Sequence, residues 1–314
     1  MFNFKDVYLT DYFIVAGPLE KEHDVKKCDM YIDDYYFGEK TVEDAEIKMQ
    51  RTVLNNLVNS NTELIIGGDL TNQLTALGSS TINKNIPVLG IYSACATMSA
   101  SFLTLAGFIQ GKFIREGIFL TSSHNLAAEK QFRFPVEYGA PKPYRSTFTA
   151  TAAVGIKLSK TSSKIKVVNG LLGKVIDSYV KDVHNMGAIM APGAATTLVD
   201  YLNQSKTEVK DYDLIITGDL GSTGSEIFKE ILKKEHNIKI NNHLDAGAIF
   251  YKDFEYAGAS GPAVLPLILV TRIFNNKKYK KILCLATGSL HSPVLVNQKH
   301  SVPTICHAIY LEVV

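Results

Sequence analysis

Residues 91–109 read IYSACATMSASFLTLAGFI, and this stretch decides the fold. An apolar approach, Ile86-Pro87-Val88-Leu89-Gly90, precedes it, so the pattern places Cys95 where a strand turns into the start of a helix. The first-turn N–H groups of a helix lack internal partners, and the helix dipole places partial positive charge there. We therefore expect the thiol to be pushed toward thiolate, in the geometry of a nucleophile or of an anion-binding position.

Two other interpretations of this stretch stay open. Residues 85–111 contain no charged side chain and are long enough to cross a bilayer. The hydroxyl groups spread through them, however, favour a core helix of a globular domain, because lipid would leave those groups without partners; they are Ser93, Thr97, Ser99, Ser101 and Thr104. Cys95 can also be read as a small buried packing residue.

Composition excludes several classes of protein. Of 314 residues, 46% are hydrophobic and 20% charged, which is typical neither of a disordered chain nor of an integral membrane protein. The net charge of +2 is too small to indicate nucleic-acid binding. The four cysteines form no CxxC pair and no histidine cluster has metal-ligand spacing, so we expect no disulfide framework, no metal and a reducing, cytosolic compartment. The N-terminus predicts a strand and not a signal peptide.

Internal similarity predicts a duplicated architecture. ELIIGGDL, residues 63–70, returns as DLIITGDL, residues 213–220, and each follows a helical segment, 42–59 or 193–203. A strand that breaks into small residues before a histidine also occurs twice, at 116–124 and at 281–291.

We predict an α/β fold of two halves, residues 1–170 and 171–314, related by a pseudo-twofold axis with paired central helices between sheets. The segment 125–146 has no counterpart in the second half and reads as an ordered insertion. Ligands of layered α/β folds meet the loops at strand carboxyl ends. We therefore expect four residues to converge there, namely Cys95, His124, Ser260 and His291.

These features resemble the thiolase and ketoacyl-synthase superfamily, whose fold has layers in the order α/β/α/β/α. The runs DAGAIF, residues 245–250, and AGASGP, residues 257–262, look like a thiolase motif. The chain is similar throughout to the stage V sporulation protein AD family in the following runs: YSACAT (92–97), SSHN (122–125), EKQFRFPVEYG (129–139), TGDLG (217–221), AGASG (257–261) and LHSP (290–293).

This resemblance implies a protein of spore-forming bacteria that binds dipicolinic acid, pyridine-2,6-dicarboxylate, and helps to load it into the developing spore. It further implies membrane proteins of the same operon as partners, and a cytoplasmic protein associated peripherally with the spore inner membrane through them. A homodimer is expected by analogy of fold, no cofactor or nucleic acid is expected, and whether calcium accompanies the ligand is left open.

The residues themselves favour a binder over a catalyst. Thiolases place a histidine between the two glycine-rich runs, but residues 250–257 read FYKDFEYA, and Asp219 and Ser260 occupy the places of the ketoacyl-synthase bases. Arg133 is expected either to contact a ligand carboxylate or to pair with Glu129 or Glu137. The predicted ligand-binding residues are Cys95, His124, Arg133, Ser260, His291 and Ser292. The alternative is a cysteine-dependent acyltransferase acting on a coenzyme A thioester, with Cys95 as nucleophile and His124 or His291 as base.

Overall fold

Strands and helices follow one another in the order expected of an α/β protein. A computed structural model describes residues 1–23, 25–133 and 142–314. The strands are β1 (Phe2–Asn3), β2 (Tyr8–Ala16), β3 (Met30–Tyr31), β4 (Leu64–Gly68), β5 (Val88–Gly90), β6 (Glu116–Ser123), β7 (Thr147–Thr149), β8 (Ala152–Ser159), β9 (Ile165–Leu172), β10 (Leu214–Thr217), β11 (His243–Asp245), β12 (Gly258–Ser260), β13 (Lys281–Ser289) and β14 (Thr304–Val313). The helices are α1 (Pro18–Glu22), α2 (Val42–Leu57), α3 (Thr75–Ser80), α4 (Thr97–Gln110), α5 (Asn125–Phe132), α6 (Met186–Ser205), α7 (Gly221–His236), α8 (Val264–Ile268) and α9 (Pro293–Asn297).

The strand order repeats. The first unit runs β2-β8-β6-β4-β5 and the second runs β9-β14-β13-β10-β11. In both units the first two neighbouring pairs are antiparallel and the last two are parallel. The units join where β2 pairs with β9, with Tyr8 opposite Lys166 and Leu9 opposite Ile165. The predicted duplication is thus confirmed, and the second unit begins with β9, inside which the predicted division at residue 170 falls.

Alternation along the strands creates the layers. Ile65 of β4 belongs to an apolar cluster with α2 and α3, whereas its neighbour Ile66 belongs to a central cluster with α4 and α8. In the second half Ile215 of β10 likewise packs with α6 and α7, and Ile216 faces the central cluster. The two units form two layers of this continuous sheet, which we call the first and the second sheet. Since adjacent strand residues point to opposite faces, each of these two sheets is covered on both sides. The predicted α/β/α/β/α order results, with α4 and α8 between the sheets.

The uncharged stretch forms the central helix α4, in which ten of fourteen residues are buried. Two of its hydroxyl groups are satisfied within the helix, since Ser99 Oγ donates to the Ala96 carbonyl at 3.1 Å and Thr104 Oγ1 donates to that of Ala100 at 2.7 Å. Across the described ranges, no helix combines the length and the apolar character needed to span a bilayer.

Helix α6 begins earlier than its sequence pattern predicted. The expected segment was 193–203, but the helix begins at Met186 because the Asn185 side chain accepts a hydrogen bond from the Ala188 N–H at 3.2 Å. Asparagine is a favourable N-cap residue, so it fixes the helix start ahead of the apolar run. This extra length brings the first turn of α6 to the candidate site.

Candidate functional site

Cys95 lies in a tight turn between β5 and α4, as predicted. Its neighbour Ala94 has a φ of +49°, in the left-handed region that non-glycine residues rarely adopt. The turn is held by the Ser93 N–H, which donates to Thr97 Oγ1 at 2.9 Å, and by the Ala96 N–H, which donates to the Ser93 carbonyl at 3.0 Å. A Cβ atom at Gly288 would lie 2.5 Å from that same carbonyl oxygen. The end of β13 therefore packs directly against the cysteine turn, which only glycine allows.

The partner of the Cys95 thiol is a carboxyl group. The Cys95 thiol lies beside the carboxyl group of Asp219, which follows β10 and is 1% exposed. Asp219 accepts from Thr287 Oγ1 at 2.8 Å and from the Gly261 N–H at 3.1 Å. Burial raises the pKa of Asp219 to about 6, although these hydrogen bonds oppose the shift. Within the described residues the thiol makes no side-chain hydrogen bond to an imidazole.

The protonation state of Cys95 is opposite to the expectation from the helix start. Burial raises the pKa of Cys95 well above its ordinary value, and the charge of Asp219 raises it further. The backbone N–H groups around the thiol lower the pKa, but by less than these two effects. The expected thiolate is thus wrong because desolvation and a neighbouring carboxylate outweigh the helix dipole. At neutral pH Cys95 is a thiol.

Cys95 and Asp219 lie on the wall of a cavity of about 810 Å³, a volume that includes its open mouth. Its apolar wall is formed by Leu70, Ala94, Ala128, Phe132, Val183, Met186 and Met190. Its polar and ionisable lining is formed by Tyr92, Cys95, Glu129, Arg133, Lys142, Ser146, Thr147, Thr149, His184, Asp219, Ser260, Ser289 and His291.

A cluster of basic side chains gives one side of this cavity positive charge. Arg133 Nη1 lies 2.8 Å from Glu129 Oε2, and Lys142 Nζ donates to Glu129 Oε1. Burial lowers the pKa of Lys142, and the nearby Arg133 charge lowers it further while Glu129 raises it. Burial lowers the pKa of His184 as well, and Arg133 is the next cause. The basic groups thus disfavour one another's charge, so an anion bound among them would be stabilised.

Two residues of the second half that line the cavity each have a buried polar atom without a hydrogen-bond partner in the described residues. These atoms are Ser289 Oγ, from a residue 7% exposed, and His291 Nδ1, from a residue 9% exposed. The His291 ring lies 5.2 Å from the Phe132 ring, centroid to centroid, with 34° between their planes. Burial lowers the pKa of His291, followed by the effect of His184. Unpaired buried polar groups are costly, which makes this pair a candidate for ligand contact.

The structure brings four of the six predicted residues to the cavity: Cys95, Arg133, Ser260 and His291. Arg133 pairs with Glu129, which is one of its two expected roles, and it also lines the cavity, while its contact with a ligand carboxylate stays a prediction. Glu137, its other expected partner, and most of the FRFPVEYG run lie outside the described residues.

His124 and Ser292 were both predicted to bind the ligand, but neither of them lines the cavity. His124 Nε2 lies 2.7 Å from the Tyr35 carbonyl, and its Nδ1 accepts from the Ala127 N–H at 3.5 Å as the N-cap of α5. The Ser292 hydroxyl accepts from the Leu295 N–H and caps α9. In both cases the unpaired N–H groups at a helix start attract the side chain, so the residue stays at its own helix.

The cavity also contains residues that were not predicted. Glu129 and Lys142 belong to the segment predicted as an insertion, and His184 lies just before α6 in a part of the chain without a motif. Ser289 could have been found, because it ends a repeated strand. Among the described residues no group of three or more His, Cys, Asp or Glu is arranged to hold a metal ion.

Comparison with known proteins places this geometry in context. The family described as stage V sporulation protein AD matches residues 2–312. Stage V sporulation protein AD of Bacillus subtilis (strain 168) is 33% identical over 318 residues, which cover 98% of this chain and 94% of that protein.

Two solved structures share the fold over 99% of both chains. Cerulenin-bound OleA of Xanthomonas campestris has a TM-score of 0.62 at 14% identity. The 3-oxoacyl-(acyl carrier protein) synthase III of Xanthomonas oryzae pv. oryzae has a TM-score of 0.61 at 13% identity. These likenesses establish the predicted thiolase-like fold, and at such low identity they carry no more than the fold.

Proposed function

The chain belongs to the stage V sporulation protein AD family, and we propose that it binds dipicolinic acid during sporulation without performing catalysis. The observation that carries this proposal is the pair of buried, unpartnered polar atoms, Ser289 Oγ and His291 Nδ1, on residues that line the same cavity as Arg133 and Lys142. A planar dicarboxylate needs donors for two carboxylates and a flat apolar surface for its ring. The cavity offers both.

The donors divide into two groups that match two carboxylates. Arg133 and Lys142 belong to the first half of the chain and supply cationic donors, and Ser289 and His291 belong to the second half. Phe132 lies beside His291 and provides an aromatic face for a pyridine ring. In this arrangement one carboxylate meets the cations and the other meets the hydroxyl and imidazole groups.

The state of Cys95 supports binding without catalysis. An attacking cysteine must lose its proton, which an adjacent base or a lowered pKa normally achieves. Here burial and the Asp219 carboxyl group raise the pKa of Cys95, so the thiol is a weak nucleophile at neutral pH. We propose that Cys95 and Ser260 contribute shape and polarity to the cavity wall.

We further propose that the protein works beside membrane proteins of its own sporulation operon, at the surface of the spore inner membrane. This part of the proposal rests on family membership. Co-purification of those proteins with the tagged chain from sporulating cells tests it, and their absence from the eluate under mild detergent would contradict it.

Calorimetric titration of the purified protein with dipicolinate tests the binding proposal. We expect saturable binding that weakens at least tenfold in Ser289→Ala and His291→Gln, because each loses a hydrogen bond to a charged group, which contributes about 1.5–3 kcal/mol. Cys95→Ser should have a small effect, whereas the bulkier Cys95→Phe should fill the cavity. The matched control is His300→Gln, at an exposed histidine outside the cavity. No saturation by wild-type protein at millimolar dipicolinate would reject the proposal.

Cysteine-dependent acyl transfer is the second candidate function, favoured by the position of Cys95 at the start of a buried helix and on the cavity wall. Incubation with acetyl-coenzyme A followed by intact-protein mass spectrometry separates the two. A stable acyl adduct that disappears in Cys95→Ala would favour the acyltransferase. The binder predicts no adduct.

A further inference from the structure

Glu129 occupies the positions on two cavity cations that a bound anion would take. It lies in the last turn of α5, its side chain is 15% exposed, and each of its carboxylate oxygens accepts from a different cation. Arg133 reaches Oε2 and Lys142 reaches Oε1. The Glu129 carboxylate thus accepts from the same two basic side chains to which one carboxylate of a dianionic ligand would bind.

The surroundings make this arrangement more than a surface ion pair. The Lys142 side chain is 10% exposed and the Arg133 side chain 25%, so water screens their charges only in part. A buried cation that lost its counter-ion would be destabilised strongly. Any anion that displaces Glu129 must therefore restore the contacts that Glu129 gives up.

We propose that Glu129 is an internal counter-anion which an incoming dicarboxylate displaces from Arg133 and Lys142, and that the cost of this exchange leaves a ligand with a single carboxylate too small a net gain to bind tightly. This inference rests on the proposed function. A ligand with one carboxylate only replaces what Glu129 already provides, so its net gain is small. A dicarboxylate also reaches Ser289 and His291 with its second carboxylate, and that additional contact compensates for the exchange.

The test compares dipicolinate with picolinate, pyridine-2-carboxylate, in calorimetric titrations of wild-type protein and Glu129→Gln. Wild-type protein should prefer dipicolinate by about a hundredfold or more, since two hydrogen bonds to a charged group are at stake. Glu129→Gln should bind both ligands about tenfold more tightly than wild-type protein does, because neither ligand then has to displace a carboxylate, and the ratio of the two affinities should stay unchanged. Equal or weaker binding of both ligands by Glu129→Gln would overturn the proposal.

Glu43→Gln is the matched control. Glu43 pairs with Lys130, also on α5, at 2.7 Å, but it lies outside the cavity lining. The substitution removes the same charge near the same helix, so both affinities should stay at their wild-type values. A gain in affinity equal to that of Glu129→Gln would reduce the effect to overall charge and overturn the proposal.

A second readout separates failure of this inference from failure of the proposed function. Titration of the His184 imidazole by NMR needs no ligand. Loss of the Glu129 charge leaves Arg133 and Lys142 less neutralised, so the pKa of His184, which both cations already lower, should fall further. If wild-type protein binds neither pyridine carboxylate, the proposed function fails, and a falling His184 pKa would still support Glu129 as the counter-anion. An unchanged His184 pKa would overturn the counter-anion itself.

Discussion

At the scale of single residues, the Cys95 thiol and the Asp219 carboxyl group determine what the cavity can do. The sequence predicted where Cys95 lies, because the change from strand pattern to helix pattern is local. It could not predict the protonation state, because Asp219 lies 124 positions further along the chain and only the fold brings it to the sulfur. Asp219, which occupies the place of an expected base, thus raises the pKa of the thiol and does not help it to lose its proton.

Replacing Asp219 by asparagine should activate the thiol. The substitution removes the neighbouring negative charge that raises the pKa of Cys95, while burial still raises it. We expect alkylation by iodoacetamide at neutral pH to become about tenfold faster, one pKa unit being a tenfold change in thiolate. Intact-protein mass spectrometry over time measures the rate.

Asp33→Asn is the matched control for that experiment, because Asp33 is a surface partner of Lys21. Cys95→Ala in the Asp219→Asn background identifies the modified cysteine. Equal rates in wild-type protein and Asp219→Asn would mean that the carboxyl group does not control the thiol.

Dipicolinate should bind more tightly as the pH falls. Burial lowers the pKa values of His184 and His291 below their ordinary value of about 6.5, so both are neutral in the free protein at pH 7. A bound dianion favours their protonated forms and raises both pKa values, so affinity is greatest below the free-protein pKa and declines as the pH rises through the bound-state pKa. Protonation of Asp219, with a pKa of about 6, acts in the same direction.

Calorimetry in matched buffers measures this dependence. Between about pH 7.5 and about pH 5.5 the dissociation constant should fall by about tenfold, which corresponds to one added favourable charge contact. In His291→Gln the dependence should be weaker. An affinity that is flat or falls toward acidic pH would contradict the assignment of these imidazoles to the anion.

At the scale of helices and strands, the starts of helices explain both what sequence reasoning found and what it missed. Cys95 was found because small residues open α4. His124 was expected at the site because it follows a repeated strand, and Ser292 as a side-chain donor, but each of them caps its own helix. His184 was missed because it lies in a loop without a sequence motif. Only the early start of α6 places this loop at the cavity.

Asp245 fixes the start of α7 and the loop that carries Asp219. Its carboxyl group is 3% exposed and accepts from the Leu220 N–H, the Gly221 N–H and the Ala248 N–H, each at 2.9 Å, as well as from Thr217 Oγ1. Asp245→Ala leaves these buried donors unpaired, so the free energy of unfolding should fall by about 2–4 kcal/mol. Urea denaturation followed by circular dichroism measures the change.

Asp245→Asn keeps one acceptor oxygen and should lose less stability than Asp245→Ala. If the alanine variant were as stable as wild-type protein, the carboxyl group would not be the anchor of this helix start.

At the scale of the whole molecule, the duplicated plan was the most predictable property. The repeats ELIIGGDL and DLIITGDL form β4 and β10, and neighbouring residues of these strands pack on opposite sides of the sheet. The repeats therefore predict the layers of the fold. The composition of the cavity was less predictable, because its wall is assembled from both halves and from the segment that has no counterpart. The division of the chain at residue 170 stays a prediction.

The homodimer expected by analogy of fold also stays a prediction, and the edge of the first sheet supplies its test. Strand β5 ends that sheet with Val88 and Leu89 exposed, and residues 85–90, which include this strand, carry no charge. Uncharged edges favour pairing with another strand. Leu89→Glu should therefore convert a dimer into a monomer, as measured by size-exclusion chromatography with light scattering.

Val175→Glu, at another exposed apolar residue, is the matched control and should leave the dimer intact. A monomeric wild-type protein at micromolar concentration would contradict the prediction.

The pairing of β2 with β8 constrains how the chain acquires its structure during synthesis. Tyr8 lies opposite Ser159, so the first sheet closes only after about half of the 314 residues have left the ribosome. Contacts between such distant positions form slowly, because closing a long loop reduces chain entropy before any contact compensates for it. Until then β2 has no partner on that side, and we expect the nascent chain to depend on chaperones during this interval.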